Sequence, residues 1–141
     1  FAADGYERRV FAAEGFEATG AYGRAVQAWR AAAQLLPAGD PRRLHVGVKL
    51  AEDFAARGER QDAISAFIAD IRYAKARGLR NADLGEAYSG LADLLAAKGE
   101  TRAARRNYRA ALELTASPEV RADILRRLKA ADRGGVHGRG E

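Results

Sequence analysis

The sequence predicts an all-α fold built from repeated helix pairs, on three observations. Alanine is used heavily, charged residues make up 30% of the chain and prolines number only 3, a usage that favours helix over sheet. Alternating β-branched runs bounded by turn residues are scarce, so an all-β reading has little support. Finally, the stretch "GETRAARRNYRAALEL" from Gly99 places Ala104, Tyr108, Ala111 and Leu112 at steps of four and three, with Arg102, Arg105, Arg106 and Arg109 at like steps beside them. That spacing marks an amphipathic helix.

An internal repeat organises these helices. Three segments align, starting at Gly20, Gly58 and Gly99. Five residues after each glycine stands alanine (Ala25, Ala63, Ala104), and nine after it an aromatic residue (Trp29, Phe67, Tyr108). Ala32 and Ala111 follow at twelve in two copies. Upstream, alanine stands seven before (Ala13, Ala51, Ala92), a large apolar residue four before (Phe16, Phe54, Leu95), and Ala12, Leu50 and Leu91 eight before. Each unit therefore reads as helix, glycine turn, helix, with small residues where backbones approach and large ones filling the gaps.

Taken in order, the predicted helices are 4–18, 21–36, 41–57, 60–76, 82–98, 101–115 and 118–132. Asp4 with Glu7 forms a capping-box pattern for the first, and Pro37 closes the second. Asp40 before Pro41 starts the third as an N-cap followed by a first-turn proline, and Gly78 suits the C′ position of the fourth. Tyr88, Leu91, Ala92 and Leu95 give the fifth its apolar face, and the opening stretch is the sixth. Ser117 before Pro118 starts the seventh, which carries Val120, Ile124, Leu125 and Leu128 on one side and Arg121, Arg126, Arg127 and Lys129 around the rest. It reads as a cap over the last unit's apolar flank. Residues 134–141, "GGVHGRGE", lack an apolar period and are expected to form a mobile tail. At 141 residues the chain suits one domain, residues 1–133, with units at 4–37, 41–77 and 82–116.

In these residues the sequence resembles the tetratricopeptide repeat family, the third unit most closely. Asp70 stands where that family has a second small residue, and Gly47 where it has a bulky one. The glycine spacings of 38 and 41 exceed the family period of about 34 by about one and two helical turns, which lengthened helices absorb. The resemblance implies a right-handed α-solenoid whose first helices line a concave groove for a protein or peptide segment.

At the positions that the family turns into its groove, this sequence has Glu14, Glu52 and Asp93, with Glu7 and Glu86 one helix-turn series earlier and Glu17 near the edge. Val10, Val48 and Ser89 lie between, and His45 and Lys49 break the acidic pattern. An acidic column favours a partner segment rich in arginine or lysine. A carboxylate clamp is not expected, because its places hold Val10, Glu14, Lys49, Glu86 and Gly90.

No catalytic constellation is assembled. His45 and His137 are the only histidines and cysteine is absent, so thiolate chemistry and zinc–thiolate sites are excluded and no helical histidine pair exists. "GGVHGRG" follows no predicted strand, which removes a phosphate-cradling loop. A non-enzymatic scaffold without cofactor or metal is the expectation.

Net charge is +5, and residues 98–141 hold 11 Lys/Arg against 6 Asp/Glu while residues 1–97 hold 13 of each. The predicted basic ridge is Arg102, Arg105, Arg106 and Arg109 on the outer side, extended by Arg126, Arg127 and Lys129. It offers an alternative function, docking nucleic acid or an anionic membrane, although interleaved aromatic residues for stacking are missing. A further alternative is self-association, with the Arg139-bearing tail or another copy in the acidic groove. Uncharged runs are too short to cross a bilayer, so a soluble domain is expected, cytoplasmic, or periplasmic after removal of an upstream signal. The chain begins at Phe1 without methionine and reads as processed or excised. Its Ala/Arg/Gly usage suits a high-GC bacterium.

Overall fold

Four glycine turns set the course of the chain. In the computed structural model, which describes residues 2–139 and the side chains of residues 5–134, Gly20, Gly58, Gly78 and Gly99 have φ of 78°, 79°, 65° and 82°. A side chain at such φ is strained, and glycine is not. Each turn makes the same two hydrogen bonds. At Gly20, the Ala21 amide donates to the Phe16 carbonyl at 2.8 Å and the Gly20 amide to the Glu17 carbonyl at 3.1 Å. At Gly99, the Glu100 amide donates to the Leu95 carbonyl at 2.9 Å and the Gly99 amide to the Ala96 carbonyl at 3.0 Å. These pairs are Schellman motifs, which satisfy carbonyls that a helix end would otherwise leave bare.

Seven helices are described: α1 (Ala2–Ala18), α2 (Tyr22–Gln34), α3 (Arg42–Ala56), α4 (Arg60–Ala76), α5 (Ala82–Ala97), α6 (Thr101–Glu113) and α7 (Pro118–Arg139). The fold is all-α with sequential packing. Helix ends agree with the sequence reading to within two residues, except at the end of α7. That helix continues to Arg139 and takes in positions 134–139, which the sequence reading assigned to a mobile tail. Glycine costs a helix only about 1 kcal/mol, and no proline or left-handed glycine interrupts this one. Gly140 and Glu141 lie outside the described residues.

Helix starts follow local chemistry. Asp40 Oδ1 accepts the Arg42 amide at 2.9 Å, and the same carboxylate holds the Arg42 guanidinium at 2.7 Å. The contact lowers the Asp40 pKa to about 2. Ser117 Oγ accepts the Val120 amide at 3.4 Å. Asn81, which the sequence reading did not single out, caps α5 by accepting the Leu84 amide at 3.1 Å. The Asp4 side chain, half of the capping box expected for α1, lies outside the described residues, and α1 begins before it at Ala2.

The helices form two compact units, Phe1–Ala66 and Phe67–Glu141. In the first, α1 packs on α2 and α2 on α3. Its core joins Tyr6, Ala13, Ala25, Trp29, Ala32 and Val46, with Trp29 fully buried. Ala13 and Trp29 flank the Gly20 turn at the spacing that the repeat set. In the second unit, α5 packs on α6, α6 on α7, and α5 touches α7. Ala92, Ala104, Tyr108, Ala111 and Ile124 form its core. The expected apolar face of α7 is narrower than its sequence suggests, because Val120 and Leu125 are exposed while Ile124 is buried and Leu128 and Ala131 pack beside it.

Gly90 explains itself here. A Cβ on it would lie 2.4 Å from Cζ of Phe67, whose ring is buried against α5. Gly90→Ala is expected to lose about 1–3 kcal/mol through this overlap, against a gain in helix propensity of about 1 kcal/mol, so the variant should unfold at lower urea. Trp29→Ala should cost about 3–5 kcal/mol, and an unchanged melting temperature would refute the register of the first unit.

Candidate functional site

Each unit presents one arrangement of charge that the fold does not use up. In the first unit the acids of α1 and α3 divide into buried and exposed sets. Glu17, half-buried near the end of α1, accepts the Trp29 indole N–H at 3.1 Å. A buried indole needs such an acceptor. The Glu17 carboxyl also meets Asp53 of α3, which is only 3% exposed. Two carboxylates cannot hydrogen-bond unless one keeps its proton. Burial first, then this contact and repulsion from Glu17 and Glu52, pushes the Asp53 pKa up to about 8, with Lys49 opposing. Asp53 Oδ2 is buried without a hydrogen-bond partner among the described residues. Sequence reasoning missed Asp53, because the residue beside it, Glu52, took the groove position.

Several predicted groove residues lie elsewhere. Val48 is fully buried rather than lining a groove. Leu44, Val46, Val48 and Ala51 are all buried, and such spacing wraps around a helix, so α3 keeps only a narrow exposed strip. Val10 is half-buried and packs on the Trp29 core. His45 sets its ring edge-on to Trp29 at 5.8 Å between centroids. Lys49 pairs with Glu52 at 3.3 Å.

Glu7 and Glu14 are exposed and have no ion pair among the described residues. Between them on the same face of α1 stands Phe11, 80% exposed. The positions i, i+4 and i+7 put acid, aromatic ring and acid in one stripe. The sequence reading noted both acids and missed the ring, although its spacing was visible.

In the second unit the remaining groove residues are tied into the fold. Ser89 Oγ donates to the Glu86 carbonyl at 3.2 Å, and Glu86 is half-buried. The Tyr108 hydroxyl donates to Asp93 Oδ1 at 2.5 Å, while Arg127 reaches Asp93 Oδ2 at 3.0 Å. Burial, and then the Asp93 contact, raises the Tyr108 pKa. Asp93 is thus an acceptor for a buried hydroxyl and a guanidinium, and not a free acid of a groove.

The expected basic ridge is not continuous. Arg105 pairs with Asp132 at 2.7 Å, Arg126 with Asp123 at 3.1 Å, and Arg127 with both Asp93 and Asp123. Pairing with acids of α5 and α7 neutralises three of its seven members. Arg102, Arg106, Arg109 and Lys129 have no partner among the described residues. Arg102 and Arg106 line an open cleft of about 1090 Å³ between the turn after α5, the start of α6 and the later part of α7.

Among the described residues no group of three His, Cys, Asp or Glu is placed to hold a metal, and no helix is long and apolar enough to cross a membrane. His137 lies outside the residues whose side chains are described. The chain matches no family model and no curated protein.

The Asp53 arrangement has a signed consequence for stability. The folded chain keeps the Asp53 proton up to about pH 8, whereas an unperturbed carboxyl releases it near 3.8. The stabilisation from the neutral form is therefore complete below the lower value and is lost as pH rises through the upper one. Stability should fall across that window by up to about 1.4 kcal/mol per pH unit from this group. Asp53→Asn, whose amide can donate to Glu17 at any pH, should flatten that slope in urea titrations followed by Trp29 fluorescence.

Proposed function

We propose that the chain is a non-catalytic adaptor of tetratricopeptide kind that holds a basic segment of a partner protein against the acidic face of α1. The observation that carries this reading is the stripe Glu7, Phe11 and Glu14. Two exposed carboxylates without ion pairs flank an aromatic ring that is 80% exposed. A ring face attracts an arginine or lysine cation, and the flanking acids add charge complementarity. Burying the ring under a partner removes apolar surface that folding leaves in water.

The glycine-turn period, the small residues at the helix crossings and the sequential packing support a repeat-type interaction module. The four Schellman turns supply a common geometry for it. The Glu17–Asp53 contact ties the end of α1 to α3.

A fluorescent peptide array tests this reading. Arginine- and lysine-rich peptides are expected to be retained by the wild-type chain, and acidic peptides are not. Each exposed contact is worth about 0.5–1 kcal/mol, so Glu7→Lys with Phe11→Ala and Glu14→Lys should weaken binding about tenfold or more while the circular dichroism stays helical. Retention that ignores these substitutions, or no retention of any basic peptide, would remove the α1 face as the site.

A further inference from the structure

The cleft of the second unit holds charge that folding does not explain. Arg102 and Arg106 are one helical turn apart on α6, so their side chains are neighbours on one face. Like charges at that spacing destabilise a helix. Their place near the start of α6 adds to the cost, because the dipole there already favours negative charge. No acidic residue occupies the first turn of α6, and its N-cap residue makes no side-chain capping bond. Neither arginine has an ion pair among the described residues.

The other charges of the cleft are accounted for. Glu100 pairs with Lys98 at 3.5 Å, and Arg127 with Asp93 and Asp123. The cleft therefore carries two uncompensated positive charges. Its remaining surface is largely small, including Ala96, Ala97, Ala130 and Ala131, which leaves its volume of about 1090 Å³ open. That space lies just above the usual range of small-molecule sites and is far larger than a single inorganic ion requires.

We propose that this cleft binds a small phosphate monoester, with its phosphate between Arg102 and Arg106 and its organic part over the alanine floor. A monoester dianion matches the two free guanidinium groups in charge, and its oxygens match their planar donors. A carboxylate would neutralise only one. An extended polyanion is disfavoured by the same observations, because three arginines of the basic ridge are held by acids and cannot form a continuous track. The site is separate from the acidic stripe of α1 and does not depend on the adaptor reading.

Phenyl phosphate, inorganic phosphate, acetate and a single-stranded RNA serve as probes, titrated by calorimetry into the full chain at low ionic strength. The expected result is saturable binding of phenyl phosphate, tighter than inorganic phosphate, with none of acetate. Arg102→Ala and Arg106→Ala should each weaken it about tenfold. Arg109→Ala, on the same helix but outside the cleft, should leave it unchanged. Arg106→Gln provides a second loss of charge with less change of shape. Removing either cleft arginine should also leave the melting temperature equal or higher, since a repulsion is relieved. Inorganic phosphate binding as tightly as phenyl phosphate would overturn the organic-ligand assignment. No saturation by about 10 mM phenyl phosphate, equal losses in the Arg109 variant, preference for RNA, or a melting temperature lowered by Arg106→Gln would each overturn the site.

Discussion

The left-handed glycine turn is the constraint on which the rest of this structure depends. At Gly20, Gly58, Gly78 and Gly99 the backbone takes a conformation that a side chain would strain, and two hydrogen bonds close each helix in the same way. A fixed reversal makes sequence distance predict spatial contact. The residue seven before Gly20 or Gly99 is a buried alanine, the residue nine after is a buried aromatic, and the two share a core in each case. Without the turn, the small residue would have no large one to receive.

Burying an aromatic column brings a second requirement. Trp29 and Tyr108 occupy equivalent places and each carries a polar hydrogen that must be met inside the fold. The chain meets both with an acid from the preceding helix, Glu17 for the indole and Asp93 for the hydroxyl. The solutions then diverge. Asp93 also receives Arg127, so its charge is balanced. Glu17 instead meets Asp53, another acid, and the strain of that meeting appears as a carboxyl held neutral far above its ordinary range. Thus two acids that resemble binding residues in sequence are used first to satisfy aromatic neighbours.

Helix positions and the repeat were legible because they rest on local signals: apolar spacing, proline starts and glycine ends. Buried faces were legible where one stripe sufficed, as on α6. They were not on α3, where Leu44, Val46 and Val48 are buried around more than one side. Gly90 was a helical glycine without a stated purpose until the Phe67 ring was seen to fill its missing side chain. The basic ridge was read from spacing along α6 and α7, which reports a shared face and not a partner. Its division depends on acids distant in sequence, Asp93 and Asp132, whose approach only the packing supplies. Phe11 could have been found from its place between Glu7 and Glu14, but a period scored for cores passes over an aromatic that faces water.

The charges left over differ in kind from those that are paired. Exposed ion pairs contribute little to stability, typically about 0–1 kcal/mol, so Arg105 and Arg126 can be matched by acids without the fold requiring it. Two arginines stacked on one turn of α6 contribute less than nothing to the folded state. Folding alone would not select them. Their cost is small because water screens it, and it turns into a gain as soon as a ligand of opposite charge excludes that water. Stability thus resides in the buried small-and-aromatic seams, while the roles proposed for the α1 stripe and the α6 cleft rest on charges that no ion pair among the described residues meets.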